Sequence, residues 1–290
     1  MTWFLLSLAA ALTQAVQFAV VKGRARAIPP LVIVTWTQTV ACGAWIVYFG
    51  VTGHPFTTPG AVWPAVAAAW VLVLGMSGLL ARASARGDIS IVGPILALSP
   101  LFTVAPDAVL SRTWPSALGW VGLVLSLTGT VSLSGTATAG PFGRVRALLA
   151  RRDALDALGA AFLLGFLAAV DRYGARHLGT PSYLVVTHGG SGLLTGAIAL
   201  ITTPRGLAES WTPRNLVTVL AHGLLGVTGT GMQTSALTMA PAAYVNAIRR
   251  VSAVVAVVLG RALFGEPDLA RRLVAALLAC AGAACLLLAR

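Results

Sequence analysis

The chain has 290 residues, of which 57% are apolar and 10% charged, with a formal net charge of +12; an average soluble domain carries about 25% charged residues. Its 20 basic and 8 acidic side chains fall between apolar runs of about 20 residues, the length that crosses a hydrocarbon core of about 30 Å as a helix. This excludes a water-soluble protein. Unbroken runs such as 61–80 and 273–289 also exclude a transmembrane barrel, whose strands alternate polar and apolar residues.

In chain order, the first apolar run has no basic residue before it and is followed by Lys22, Arg24 and Arg26, so it reads as a retained helix and not a cleaved signal. Breaks at Pro, Gly and charge then predict ten spans, over 2–21, 30–50, 61–80, 89–110, 116–135, 154–173, 181–203, 213–235, 241–264 and 270–289. The longest connection, about 136–153, holds Arg144, Arg146, Arg151 and Arg152. It divides the chain into a first five-helix repeat (1–140), a basic connecting loop (141–153) and a second five-helix repeat (154–290).

A shift of 153 residues lays Val92 on Val245, Ile95 on Ile248, Ser99 on Ser252, Val104 on Val257, Leu110 on Leu263 and Gly129 on Gly282. Because five is odd, the second copy enters the bilayer from the opposite side. The expected fold class is therefore an all-α polytopic membrane protein of ten transmembrane helices in two inverted five-helix repeats, an arrangement common in secondary transporters that bind substrate near the midplane.

Loop charge orients the bundle. Connections after odd-numbered spans hold thirteen basic residues: Lys22, Arg24, Arg26, Arg82, Arg86, Arg144, Arg146, Arg151, Arg152, Arg205, Arg214, Arg271 and Arg272. The other side holds four: Arg112, Arg172, Arg176 and Arg290. Positive charge favours the cytoplasmic face, so both termini are expected outside the cytoplasmic (inner or plasma) membrane. The basic residues mark helix ends and form no nucleic-acid stripe, so no nucleic-acid partner is expected. Cys42, Cys280 and Cys285 lie inside apolar runs without metal-ligand spacing and read as small core residues.

The stretch Ile89–Leu133, with an apolar-Gly-Pro opening, Ser99-Pro100 in mid-helix and a Gly-containing fifth helix, resembles the repeat of the drug/metabolite transporter superfamily, EamA-like branch. Its second copy, Pro241–Leu288, is more similar still: it contains NAIRRVSAVVAVVLGRALFGE, with Phe264-Gly265-Glu266 at the family's apolar-Gly-Glu turn, where the first copy has Ser111-Arg112-Thr113. The resemblance implies a ten-helix secondary transporter of a small metabolite that works as an exporter. Phosphate- and nucleotide-sugar-carrying branches place a basic residue or pair in their ninth helix, and Asn246, Arg249 and Arg250 are similar in position.

Charges within spans carry most information, because a charge at the bilayer centre costs from a few to over ten kcal/mol. Arg249 and Arg250 lie eight and nine residues into the ninth span, roughly 12–14 Å deep. Their equivalents under the shift are Leu96 and Ala97, so the fold itself does not require cations there. They suit recognition of a carboxylate or phosphate by a guanidinium fork, or else a buried ion pair with Asp107 or Asp171. Each acid is either a coupling or counter-ion site or an interfacial, solvated group. His188 and His222 are candidate proton carriers or packing residues. Gln14 and Gln17 share a face of the first helix, and with Gln38, Gln233 and Tyr244 they suit a cavity lining, which interhelical hydrogen bonding would explain equally. Trp36 and Trp70 are further candidate walls, and Trp63, Trp114 and Trp211 candidate interface anchors.

No phosphate-binding loop, nucleophile elbow or HExxH motif occurs, so no cofactor, no metal and no enzymatic activity are expected. The leading reading is an alternating-access transporter of a small molecule with an anionic group, acting as monomer or homodimer with possible proton coupling. Alternatives are a lipid-carrier flippase, an intramembrane enzyme or cationic drug efflux. Cysteine labelling at Arg290 and within 136–153 tests the orientation. Impermeant reagent added outside should modify position 290 and spare the central connection; the reverse pattern would invert the topology.

Overall fold

The computed structural model describes residues 1–24, 28–86, 95–96, 98–112, 114–132 and 152–249, with single positions at 278, 281, 282, 285 and 288. All regular structure among them is helical: α1 (Thr2–Arg24), α2 (Pro30–Thr52), α3 (Trp63–Arg86, led by a 3₁₀ turn at Gly60–Val62), α4 (Ser99–Ser111), α5 (Ala117–Ser132), α6 (Arg152–Leu178), α7 (Thr180–Thr202), α8 (Pro213–Met239) and α9 (Ala242–Arg249). A single-turn helix, Pro204–Glu209, sits between α7 and α8. Arg250, the Phe264-Gly265-Glu266 turn, the connection over 141–151 and most of the tenth span lie outside the described residues.

Prolines start α2, α7 and α8, where the missing N–H is one that the first helical turn leaves unbonded anyway. The turn between α6 and α7 is a single residue, Gly179, at φ 76°, a left-handed backbone that costs glycine no Cβ clash. Segments Pro30–Thr52, Gly60–Leu80, Arg152–Leu178 and Thr180–Thr202 are long and apolar enough to cross a bilayer. α8 equals α6 in length but carries His222, Thr228, Thr230, Gln233 and Thr234. Large apolar side chains, including Val51, Val71, Val109, Leu193 and Ile201, point outward, as a lipid-facing surface requires.

The packing repeats itself across the two halves. α3 runs along α6 and α1 along α8; α2 lies on α7 and α4 on α9; α2 also meets α8, and α3 meets α7. Replacing every helix by the one five places on turns α3/α6 into α8/α1 and α2/α8 into α7/α3, and it returns α2/α7 and α4/α9 to themselves. The halves are thus related by a pseudo-two-fold exchange whose central contacts are the α2/α7 and α4/α9 crossings.

α4 also lies along α6, and close approach between these helices needs small residues. An added Cβ at Gly165 would meet the Phe102 Cβ at 2.7 Å and the Ser99 carbonyl oxygen at 2.8 Å, and one at Gly190 would overlap the Trp70 indole. On α8, Gly223 faces Val40, Gly226 faces Thr37 and Gly229 faces Thr13, while Gly192 and Gly196 on α7 face Gln38 and Thr35.

Two expectations change. The sixth span is expected to end at 173, yet α6 continues to Leu178 because Tyr173–Leu178 stay packed against α7. Arg172 is consequently a buried helical residue, 3% exposed, and not a loop charge; the sparser side keeps Arg112, Arg176 and Arg290, and the charge asymmetry grows. α8 likewise runs to Met239, beyond the expected 235. Gly190→Ala should lower the thermal midpoint in detergent by overpacking worth about 1–3 kcal/mol. Gly78→Ala, with nothing within 4 Å of the new methyl, should be neutral or raise it.

Candidate functional site

α9 brings its arginine into the bundle between α1 and α6. Asn246, 1% exposed, donates through Nδ2 to Thr103 Oγ1 on α4 at 3.0 Å, and Thr103 donates onward to the Ser99 carbonyl. One turn further along, half-buried Arg249 donates through Nε to Gln14 Oε1 at 2.9 Å. Asp171 lies within Coulombic reach of Arg249, but no ion pair closes between them: the carboxylate accepts the Tyr183 hydroxyl at 2.7 Å. Among the described residues no acceptor meets the two terminal nitrogens of Arg249. A planar fork with both outer donors unengaged can receive a carboxylate or phosphate.

A second polar layer joins α2 to α7 and α8. His188 Nδ1 on α7 lies 2.5 Å from Gln38 Oε1 on α2, and its Nε2 lies 3.4 Å from Thr230 Oγ1 on α8. His222 on α8 places Nδ1 2.9 Å from Thr37 Oγ1, and its backbone carbonyl accepts Gln17 Nε2 at 2.9 Å. Gln14 and Gln17 therefore serve different neighbours from one face of α1, the former α9 and the latter α8. Gln233 is buried on α8, one turn beyond Gly229.

The remaining candidates occupy other places. Tyr244 packs with Val104, Leu123 and Ile248, and its hydroxyl accepts the Ser116 N–H at the start of α5 at 3.1 Å. Trp36 donates to Ser210 Oγ and stacks edge-on with Trp211; Trp70 donates to the Val186 carbonyl. Asp107, 1% exposed, holds Arg172 Nη1 at 2.7 Å and accepts the Ala242 N–H at 2.7 Å. The expectation of Asp107 as an interfacial, solvated acid is corrected: water is excluded where α4, α6 and α9 meet. Its counter-ion is Arg172.

Tyr183, Arg172, Thr37, Thr103 and Thr230 join these networks, although the sequence does not single them out. Helical geometry offers one signal: Asp171 and Tyr183 lie on either side of Gly179, eight and four residues from it, close enough to meet across a tight turn. An open apolar pocket of about 420 Å³ lies at the end of α2, lined by Ile46, Phe49, His54, Phe56, Val185 and Val186, outside both polar layers. Among the described residues no three His, Cys, Asp or Glu side chains gather as metal ligands.

The profile of the EamA-like transporter family matches residues 1–135 and again 154–288. No curated protein matches the chain in sequence. Among 28 similar solved chains, a protein of known crystal structure superposes with a TM-score of 0.76 at 20% identity, covering 99% of this chain and 97% of its own. At that identity the likeness concerns fold alone.

Removing one partner of the α4–α6–α9 joint leaves a buried charge unmatched. Asp107→Leu or Arg172→Met alone should cost about 3–5 kcal/mol, read as a lower thermal midpoint in detergent. The double variant should recover most of that loss and retain the roughly 1–3 kcal/mol of an unpaired Ala242 N–H.

Proposed function

Because the chain belongs to the EamA-like transporter family, whose members are multi-pass membrane transporters of small molecules, we propose that it is an alternating-access secondary transporter exporting a small metabolite with an anionic group. The observation that carries this reading is Arg249: a guanidinium positioned through Nε by Gln14, with both terminal nitrogens unengaged among the described residues. A saturated structural ion pair would have turned those nitrogens onto Asp171. The carboxylate instead accepts the Tyr183 hydroxyl, which supports a role for the outer fork in binding.

The polar layer beside it gives the substrate neutral hydrogen-bonding neighbours. Among the described residues, Asp171, His188 and His222 are candidates to carry a coupling proton, whereas Asp107 is engaged by Arg172 and by α9 itself. In an inverted repeat the site stays near the midplane while the halves rock around it. The α2/α7 and α4/α9 crossings are the contacts about which such rocking would occur.

Uptake and binding in proteoliposomes, scanned over carboxylated and phosphorylated solutes, test the reading. Arg249→Gln should weaken binding of the transported anion by roughly ten- to a hundredfold, the loss of a charge-assisted hydrogen bond of about 1.5–3 kcal/mol, with folded yield unaltered. Arg249→Lys should restore part of it, since an ammonium lacks the planar fork. Unaltered affinity together with collapsed stability in Arg249→Gln would make the arginine structural and end the anion-site reading.

A further inference from the structure

The two histidines of the polar layer are each met by a threonine whose proton is already given away. Thr230 donates its hydroxyl to the Gly226 carbonyl at 2.7 Å, and Thr37 donates its own to the Ile33 carbonyl at 2.7 Å. Toward a neighbour each hydroxyl oxygen therefore accepts. The ring nitrogen facing it carries the hydrogen: Nε2–H in His188, 3.4 Å from Thr230 Oγ1, and Nδ1–H in His222, 2.9 Å from Thr37 Oγ1. One atom on each ring is left to take a further proton, Nδ1 of His188 and Nε2 of His222.

These two atoms differ in what they face. Nε2 of His222 meets no partner among the described residues, so a proton there alters no hydrogen bond. Nδ1 of His188 lies 2.5 Å from Gln38 Oε1, too close for two lone pairs, and the arrangement is that of the doubly protonated ring donating from both nitrogens. Without its proton Nδ1 becomes an acceptor, which an amide oxygen repels and an amide N–H satisfies. A half-turn about the last side-chain torsion of glutamine exchanges the two at little steric cost. The stem of Gln38 is held meanwhile, because α7 comes so near at Gly192 that a Cβ there would touch Gln38 Cβ at 3.4 Å.

Among the described residues no charged side chain touches the His188 ring. On the helices packed against α7, the titratable groups nearest to it are Cys42 of α2, against the Val185 carbonyl; Asp171 and Tyr173 of α6, both beside Tyr183; and His222 of α8, held by Thr37. Arg82 and Arg86 of α3 lie twelve or more residues past Trp70, which meets Val186. Arg205 and Glu209 of the single-turn helix lie seventeen or more residues past His188. Nor does the fold itself ask for this pair. The 153-residue offset lays Gln38 on Ser191 and His188 on Thr35, at the same α2/α7 crossing, where Thr35 donates to the Leu31 carbonyl and Ser191 Oγ has no partner among the described residues.

We propose that His188 is a proton-binding site, in which Nδ1 takes a proton from water onto its lone pair and the Gln38 amide turns over with each gain or loss. One proton thereby exchanges the group that Gln38 presents on its far side: Nε2–H when the ring is charged, Oε1 when it is neutral. The far-side nitrogen meets no acceptor among the described residues, and the exchange takes place at a central crossing between the two halves. This deepens the transporter reading by naming which of the candidate groups takes the proton. That the proton is coupled to transport rests on that reading, whereas the site itself does not.

Isotope labelling tests the site without any substrate. The chain has four histidines and four glutamines, so the full-length protein, labelled with heavy nitrogen in those two residue types and held in lipid nanodiscs, gives few side-chain resonances. His188→Asn identifies the His188 signals; should that variant not fold, His54→Asn, His177→Asn and His222→Asn identify them by elimination. Between about pH 8 and 5, the range in which histidine changes charge, Nδ1 of His188 should pass from a bare to a protonated nitrogen while Nε2 stays protonated throughout. The Gln38 amide should shift with the same midpoint. A neutral ring protonated at Nδ1, or an Nδ1 that does not titrate over that range, overturns the proton site. A Gln38 amide that keeps still while the ring titrates overturns its turning over. Anion affinity at Arg249 is read separately in proteoliposomes, so failure here leaves the transporter reading standing.

Discussion

Asp107 sits where water does not reach, so the protein itself must satisfy both of its oxygens. One takes the Arg172 guanidinium and the other the N–H of Ala242, a donor that the first turn of a helix leaves without an internal partner. The positive end of the α9 dipole adds to the attraction. Neither charge would be tolerable alone, and together they tie α4, α6 and α9 at one point. The start of α9 is thereby set, and with it the depth of each side chain along that helix: Tyr244 against α5, Asn246 against Thr103, and Arg249, seven residues on from Ala242, against Gln14.

The same shortage of water explains the abundance of threonine in the interior. Thr35, Thr37, Thr103, Thr187, Thr195 and Thr230 each donate to a carbonyl one turn back, which satisfies the hydroxyl proton within the helix and leaves oxygen lone pairs for a neighbour. Asn246 uses Thr103 in this way, and Thr37 and Thr230 lie against His222 and His188. Glycines on α7 and α8 let α1 and α2 come close enough for these contacts. Close packing and polar pairing are therefore one arrangement: small residues bring helices together, and hydroxyls and amides fill the interface without stranding a donor.

The result is a two-fold scaffold with unequal contents. Helix pairing survives exchange of the halves, but chemistry does not: Arg249 stands opposite Leu96, Gln14 opposite Leu167, and Gln17 opposite Val170. The two halves thus present equivalent helix pairings, while the second copy carries an arginine in its fourth helix that the first copy lacks.

Much of the fold was legible in the residues, since spacing of apolar runs, proline at helix starts and the 153-residue repeat are properties of the chain read locally. That Arg249 lies on the ninth helix also comes from counting along the chain. Partners were not legible. Whether Arg249 paired with Asp107, Asp171 or neither depends on which helices meet and on how far α6 extends, and a carboxylate's partner can lie 65 residues away, as Arg172 does from Asp107. The charge count likewise put Arg172 among the charges of the sparser face, because nothing local to it records that Asp107 of α4 takes its guanidinium. Length, hydropathy and repetition act along one strand of covalent chain and so determine span, number and symmetry. Ion pairing and hydrogen bonding act across space, and only the packed helices decide which charge is paired, as Asp107 is with Arg172, and which meets a neutral amide, as Arg249 does with Gln14.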